Sequence, residues 1–282
     1  MNKKKIKIKT KRTLIKMILK PLINNPKLTK EIFVRDENNK KLKVHSIVER
    51  PLTLYLNEQE IVTMMTICDY PKYLAIGYLL NQNMLKKNDK ITGIDYDEEI
   101  NTVVVRTKLK TNYEEKLKKK TLTSGCAQGT IFGDIMEEFE KIKLSKTAKI
   151  KASWLIKLLK EINTTPSLYL KARAIHGCVL CKKDKVQVYM EDVGRHNALD
   201  KLIGYAHKKK LIDNRSQFIA CSGRLNFELV QKGLMSNIGV MAGVGAPTSL
   251  SIDLAKRFEM TLLGFVKNNS FNIYTKKERI IL

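Results

Sequence analysis

The second half of the chain repeats one pattern, in which a short apolar run ends in a small or polar loop and an amphipathic helix follows. Residues 186–190 alternate between apolar and polar side chains, and apolar positions at helical spacing begin at Ala198. Residues 218–221 and 240–244 are apolar runs that end in similar loops. Because parallel strands release their loops at the same edge of a sheet, the pattern predicts an α/β fold with three loops around one crevice.

The first half of the chain has a pattern typical of a small α+β domain. Residues 42–56 predict two strands, 73–84 a helix and 91–107 a β-hairpin. The start of the chain shows no core-like pattern, so removal of residues 1–40 is expected to leave ligand binding intact. The predicted organisation is a basic leader over 1–44, an N-terminal α+β domain over 45–120 and an α/β domain over 121–282.

The polar run at 191–201 is the first candidate site, because it lies where a predicted strand becomes a helix. Gly194 lets the backbone approach a ligand, the first helical N–H groups are unpaired, and Arg195 adds a planar donor fork that fits phosphate or carboxylate. Arg224, after the next strand, is predicted to face the same crevice. The alternative is a structural turn in which one aspartate caps the helix while Arg195 and His196 are solvated.

Charge and composition narrow the function classes. The chain of 282 residues carries a net charge of +25, and residues 1–44 contain 15 Lys and Arg against three acids. Such a segment can attract nucleic acid. The basic residues are mostly lysine, aromatic residues make up 7% and no recognition module is present, so we expect no nucleic-acid role. Lys16 and Lys20 interrupt the one apolar stretch near the start, which predicts a cytoplasmic protein without a membrane span.

The five cysteines are expected to be thiols, since no export signal is present. Cys178 and Cys181 form a C-x-x-C pair near His176, for which zinc binding is the alternative. Residues three apart on a strand face opposite sides, so we predict buried side chains and no metal site. Cys126 is the best nucleophile candidate, in a predicted loop of small residues followed by helical patterns at 131–139 and 153–162. A plain loop cysteine is the alternative.

Several motifs, taken together and in order, resemble the formate dehydrogenase accessory sulfurtransferase family, FdhD. The resemblance extends over about residues 49–275. Its motifs are at 49–53, 74–80, 123–126, 191–201, 222–224, 228–232, 246–250 and 264–265. It implies a fold similar to that of cytidine deaminases, with a mixed sheet and flanking helices, although the zinc motifs of those enzymes are missing.

The resemblance also implies a function. Family members take sulfur from a cysteine desulfurase as a persulfide and pass it to the bis-pterin guanine dinucleotide cofactor of a molybdenum or tungsten formate dehydrogenase. Cys126 corresponds to the persulfide cysteine, and Gly129 stands where many members have a second cysteine. The cofactor-binding stretch corresponds to Phe265, Val266, Lys267, Asn268, Asn269 and Ser270.

Both arguments lead to one expectation for the site. The crevice should bind the phosphates and guanine ends of the molybdenum cofactor through Arg195, His196, Arg224 and residues 265–270, while Cys126 delivers sulfur. The cofactor is then a bound substrate, and the chain holds no metal of its own. One alternative is a chaperone that binds the cofactor without sulfur chemistry, and another is nucleic-acid binding by the leader. Association as a homodimer is an open option.

Overall fold

The computed structural model describes residues 19–108, 120–123, 126–131, 141–146, 148–213, 216–267 and 269–282. Within 120–131 it describes the backbone only. Asn268 and the helix predicted over 131–139, apart from its first residue, lie outside the described residues.

The N-terminal part of the described chain contains a hairpin, a four-stranded sheet and one helix. The hairpin consists of β1 (Thr29–Arg35) and β2 (Lys41–Ile47). The sheet has the order β4-β3-β6-β5, with β3 (Arg50–Leu56), β4 (Gln59–Thr66), β5 (Ile91–Asp97) and β6 (Thr102–Thr107). Helix α1 (Pro71–Asn81) packs against it. The predicted strands, helix and hairpin of this region are confirmed, while the boundaries at 44/45 and 120/121 stay predictions.

This sheet buries one face, as the period-two pattern of its strands requires. Leu52, Leu54 and Leu56 alternate on β3 and are almost fully buried, as are Val103 and Val105 on β6. Helix α1 is buried on every side from Leu74 to its end, because the sheet covers one side and a second helix the other. The helix therefore links the two halves of the fold.

The expectation that the leader has no core-like pattern is wrong from Leu28 onward. Leu28 is 1% exposed and packs in a cluster with Ile67, Leu168 and Ile175. Strands β1 and β2 follow it as a regular antiparallel pair. The sequence predicts β2 as the first of the two strands over 42–56 but misses β1, whose apolar positions are few and only partly buried. A truncation to residue 40 would remove a core side chain.

Leu28→Ala is expected to lower the free energy of unfolding by about 2–5 kcal/mol, because it opens a cavity in a packed cluster. Leu22→Ala is the matched control in the same segment, since Leu22 is exposed and its truncation leaves no cavity. Urea unfolding of the two variants and the wild type measures the difference. Equal stability of the two variants would show that the cluster around Leu28 does not support the fold.

The C-terminal part of the chain is built on a six-stranded mixed sheet of order β11-β10-β12-β13-β14-β15. Strands β12, β13 and β14 are parallel, and β10 and β15 run the opposite way. The strands are β10 (His176–Lys182), β11 (Lys185–Asp192), β12 (Gln217–Cys221), β13 (Val240–Gly243), β14 (Thr261–Lys267) and β15 (Ser270–Ile273). The predicted mixed α/β class is confirmed, and the closer likeness to cytidine deaminases stays a prediction.

Helices cover both faces of this sheet. The helices are α2 (Ala152–Thr164), α3 (Leu168–Ala172), α4 (Arg195–Lys208), α5 (Phe227–Met235) and α6 (Ser249–Arg257). One core lies between the sheet and helices α4, α5 and α6, and a second lies on the face covered by α2. Cys178 belongs to the first core and Cys181 to the second, so the prediction that they face opposite sides is confirmed.

Two short sheets complete the described fold. Strand β7 (Lys120–Thr123) pairs with β8 (Cys126–Ile131), and β9 (Ile150–Lys151) pairs with the C-terminal β16 (Ile280–Ile281).

Helices α1 and α4 cross with their backbones in direct contact at two glycines. A Cβ atom on Gly77 would lie 1.8 Å from the carbonyl oxygen of Asp200, and one on Gly204 would lie 2.0 Å from that of Tyr73. No side chain fits at either position, so the crossing depends on glycine in both helices.

Candidate functional site

The predicted crevice exists at the carboxyl ends of β11, β12 and β13, which all run in one direction. Helix α4 starts at Arg195, directly after β11. A Cβ atom on Gly223, after β12, would lie 3.6 Å from Cδ of Arg195 and 3.7 Å from Nδ1 of His176. A Cβ atom on Gly245, after β13, would lie 3.0 Å from Cγ of Arg224. The three loops therefore meet, and both glycines leave room for the arginine side chains.

Arg195 and Arg224 are the free cations of this crevice. Arg195 is half-buried and Arg224 is exposed, and neither guanidinium bonds to another side chain in the ranges that the structure describes. Burial, reinforced by the positive charge of Arg195, lowers the pKa of His176 below its ordinary value. His176 is therefore neutral near pH 7, and its Nδ1 lies 3.2 Å from the hydroxyl oxygen of Ser222. The arrangement can accept an anion without first breaking an ion pair.

The carboxylates of the same polar run serve the fold instead. Asp192 pairs with Lys201 at 2.5 Å and accepts a hydrogen bond from the hydroxyl of Thr66 at 2.5 Å. Lys201 also pairs with Asp69, and all three charged side chains are fully buried. Asp192 additionally accepts from the backbone N–H of Gly194 at 3.2 Å. Asp192 therefore supports the fold through Lys201, but the predicted capping of the helix by an aspartate is wrong, because the N-cap residue of α4 is Gly194 and no side chain among the described residues caps the helix.

A second buried network starts from Asp200, the residue next to Lys201 on α4. Asp200 pairs with Lys232 at 2.5 Å and accepts a hydrogen bond from the side-chain amide of Asn81 at 2.6 Å. The sequence pattern reveals neither network. The available signal was Lys201 between the apolar residues Leu199 and Leu202, since a lysine that is buried with such neighbours requires a carboxylate partner.

His196 lies beside Arg195 but faces the interior. Its side chain is 13% exposed, and its Nε2 lies 3.4 Å from Oδ1 of Asn226 and 3.9 Å from the carboxylate of Glu228. Burial, followed by the positive charge of Lys232, lowers its pKa to about 3. His196 is therefore a neutral side chain at physiological pH, able to give a ligand a hydrogen bond but no charge. Its predicted part in cofactor binding stays a prediction.

The described residues of the segment 265–270 lie next to the crevice, where Lys267 ends β14 and Ser270 begins β15. The backbone N–H of Phe265 points to the carbonyl oxygen of Gly245 at 3.4 Å, beside Arg224. Val266 and Lys267 line a cavity of about 510 Å³ together with His176, Ser222 and Tyr189. The side chains of Phe265, Lys267, Asn269 and Ser270 are exposed. The structure thus brings the predicted cofactor loop and the arginine loops to the same edge of the sheet.

Cys126 is the first residue of strand β8 and pairs with Thr123 of β7 across the hairpin. The expected cysteine loop is therefore wrong for residues 126–131, which form a strand. The reason is the β-branched content of the two segments, whose threonine and isoleucine side chains favour paired strands over a loop. The persulfide role of Cys126 stays a prediction.

The other cysteines are poor nucleophiles. Cys178 and Cys221 are buried opposite each other on β10 and β12, with their Sγ atoms 3.3 Å apart. The hydrogen bond to Cys221 and burial raise the pKa of Cys178. Burial also raises the pKa of Cys181, and it raises that of Cys68 to about 11. These three sulfurs are therefore protonated near pH 7, whereas thiolate is the attacking form.

In the described ranges, no group of three or more His, Cys, Asp and Glu side chains is placed to hold a metal ion. None of the helices described there has both the length and the apolar character needed to cross a membrane.

The chain is similar to sulfur carrier proteins of Bacillus species. The sulfur carrier protein FdhD of Bacillus pumilus is 29% identical over 264 residues, which cover 91% of this chain and 99% of the relative. The FdhD of Bacillus licheniformis is 31% identical, over 82% of this chain and 88% of the relative.

A putative formate dehydrogenase accessory protein from Desulfotalea psychrophila shares the fold. Its crystal structure superposes with a TM-score of 0.72 at 22% identity, over 90% of this chain and 98% of that chain. A model of the FdhD/NarQ family matches residues 47–281. This match covers the four-stranded sheet, the cysteine hairpin and the crevice. The chain therefore belongs to the FdhD/NarQ family.

Proposed function

We propose that the protein is a cytoplasmic sulfur carrier that takes a persulfide sulfur onto Cys126 and passes it to a bis-pterin guanine dinucleotide cofactor of molybdenum or tungsten. The sulfur-carrier names of the relatives support the first part. The observation that carries the second part is the crevice, where Arg195, Arg224 and the loop of residues 265–270 meet beside one cavity.

Loading of sulfur is a thiol exchange. The Cys126 thiolate attacks the terminal sulfur of a cysteine desulfurase persulfide, a new S–S bond forms on Cys126, and the desulfurase cysteine leaves as thiolate. On delivery, the terminal sulfur stays on the metal as sulfide and Cys126 returns to thiolate. This second step takes up two electrons, which a thiol reductant supplies as it becomes a disulfide. A single thiol on the carrier is sufficient, in keeping with Gly129 at the second cysteine position.

The crevice would hold the guanine dinucleotide part of the cofactor. Guanidinium forks match the geometry of phosphate, so Arg195 and Arg224 are suited to the diphosphate groups. The neighbouring cavity offers the apolar side chain of Val266 and the ring of Tyr189 as surfaces for a base, with Lys267 at its margin. The client is then the formate dehydrogenase that uses this cofactor, and a homodimer would present two such crevices.

Arg195→Lys is expected to weaken GDP binding by about 1–3 kcal/mol, because an ammonium keeps the charge but loses the two-pronged contact with phosphate. Arg35→Lys, on the distant β1–β2 hairpin, is the control and should leave GDP affinity unchanged. Calorimetric titration measures the affinity, and thermal unfolding without ligand should barely differ among the three proteins. Unchanged affinity with a lowered melting temperature would instead assign Arg195 to the support of the turn.

In a strain that lacks this gene, a gene for the Cys126→Ala protein is expected to leave formate dehydrogenase activity absent, whereas the wild-type gene restores it. Cys68→Ala, at a partly buried thiol with a raised pKa, is the control and should restore activity. GDP titration of the purified Cys126→Ala protein verifies that its crevice is intact. If Cys126→Ala restores full activity, the protein is a cofactor-binding chaperone without sulfur chemistry.

A further inference from the structure

A second cleft, of about 760 Å³, lies at the opposite end of α4 from the crevice. Residues from the last turns of α1, α4 and α5 line it. Helix α4 starts in the crevice at Arg195 and ends at Lys208, which separates its two ends by about 20 Å at 1.5 Å per residue. The cleft is therefore separate from the site assigned above.

The floor of the cleft contains polar atoms that nothing in the described chain satisfies. Asn81 and Ser236 are more than nine-tenths buried, and Oδ1 of Asn81, Oγ of Ser236 and Oδ1 of Asn237 have no hydrogen-bond partner. The orientation of the Asn81 amide is fixed, because its NH2 group donates to the carboxylate of Asp200 at 2.6 Å. Buried polar groups are normally paired, so three unpaired oxygens on residues that line one cleft indicate a place for hydrogen-bond donors.

Lysines surround the mouth of the same cleft. Lys86, Lys87, Lys143 and Lys210 all line it and are exposed, and none forms an ion pair with an acidic side chain of the described ranges. Four unpaired ammonium groups around one opening create a positive potential that attracts anions. A lysine at a helix end can also be a solvated residue that complements the helix dipole, so the charges alone do not define a site.

The walls between floor and mouth are apolar. They are formed by Leu80, Leu85, Ile142, Ile203, Ile212 and Met235. Small-molecule sites have this composition, with apolar walls that bury a ring and a few polar groups that orient it. The lining of the cleft thus combines acceptors, apolar surface and cations.

We propose that this cleft binds a phosphorylated small molecule whose head group carries hydrogen-bond donors, of the nucleotide class. The donor-bearing head meets the oxygens of Asn81, Ser236 and Asn237, the ring lies against the apolar walls, and the phosphates face the lysines. This site is independent of the crevice that holds the guanine dinucleotide.

The test uses ADP, pyrophosphate and ribose 5-phosphate as calorimetric probes of the full-length protein. ADP is expected to bind at least tenfold more tightly than either fragment, because it alone fills all three zones. The double variant Lys87→Glu/Lys210→Glu should weaken ADP binding at least tenfold. Lys160→Glu, an exposed lysine on α2 at the other face of the sheet, is the charge control and should change it less than twofold.

Ser236→Ala gives a second, independent arm. It removes an unpaired hydroxyl, so it should weaken ADP binding about three- to tenfold without lowering the melting temperature. The lysine double variant should lower ADP binding by the same factor in the Arg195→Lys background, where the crevice is weakened, which separates this site from the crevice. The proposal is overturned if no probe binds, if pyrophosphate binds as tightly as ADP, or if the lysine double variant binds ADP like the Lys160→Glu control.

Discussion

Lys201→Met lowers the free energy of unfolding by an expected 3–5 kcal/mol, about the loss that follows when one partner of a buried ion pair is removed. The substitution leaves Asp69 and Asp192 fully buried beside each other without a cation. The two carboxylates come from different halves of the fold. Loss of the lysine between them therefore weakens the contact between the four-stranded and six-stranded sheets. Urea unfolding of the variant and the wild type measures it.

Lys182→Met is the matched control for this experiment. Lys182 pairs with Asp213 near the surface, where the two side chains are 40% and 35% exposed. Such a pair contributes about 0–1 kcal/mol, so the control should unfold close to the wild type. Adding Asp69→Asn to Lys201→Met should recover part of the stability, because it removes one of two repelling charges. Equal losses for the two lysine variants would contradict the assigned role of the buried network.

The pH dependence of this network follows from the lysine. Burial by itself lowers the pKa of Lys201, but the carboxylates of Asp192 and Asp69 together raise it above the ordinary lysine value. A raised pKa in the folded state means that the stabilisation is complete below the unfolded value, near 10.4, and is lost as the pH rises further. The contribution from the raised Lys201 pKa should therefore decrease in alkaline solution.

Gly77→Ala is expected to cost about 3 kcal/mol or more, at the upper end of the range for overpacked positions. The added methyl group would lie 1.8 Å from the backbone oxygen of Asp200, and backbone cannot rotate away as a side chain can. The favourable helix propensity of alanine, worth about 1 kcal/mol over glycine, offsets only part of this. Helices α1 and α4 must move apart, which shifts Arg195 at the start of α4.

Gly93→Ala on β5 is the control, because it makes the same glycine-to-alanine change at a position where the added methyl group has room. The nearest atom to a Cβ at Gly93 is in the flexible side chain of Arg106, 3.8 Å away. Thermal unfolding should place this variant near the wild type and Gly77→Ala well below it. GDP titration provides a second readout, since a displaced α4 should also weaken binding at the crevice. Wild-type stability of Gly77→Ala would contradict the close helix crossing.

The sequence pattern predicts the strands that bury one face and the strands that are buried along their whole length. Alternation on β3 and β6, and the apolar runs of β12 and β13, correspond to strands because their partners in the core are apolar as well. The crevice follows from the same pattern, since loops after co-directional strands must meet at one edge. Arg195 and Arg224 could therefore be assigned to it before any contact was known.

Long-range electrostatics could not be predicted in this way. Asp192 and Asp69 share Lys201 although they are far apart in the sequence, and local pattern carries no information about such a partner. The polar run of residues 191–201 consequently resembled a ligand site throughout, whereas Asp192 and Asp200 pair with buried lysines of the fold. Strand β1 was missed because its apolar positions are few and only partly buried.

Peptide mass spectrometry of the persulfide tests the central claim most directly. The full-length protein is incubated with a cysteine desulfurase and cysteine, alkylated and digested, and the peptides carrying an additional sulfur are identified. Sulfur on Cys126, and its absence from the Cys126→Ala protein, is the predicted result. Sulfur on Cys68, Cys178, Cys181 or Cys221 with none on Cys126 would contradict the proposal that this hairpin cysteine is the carrier.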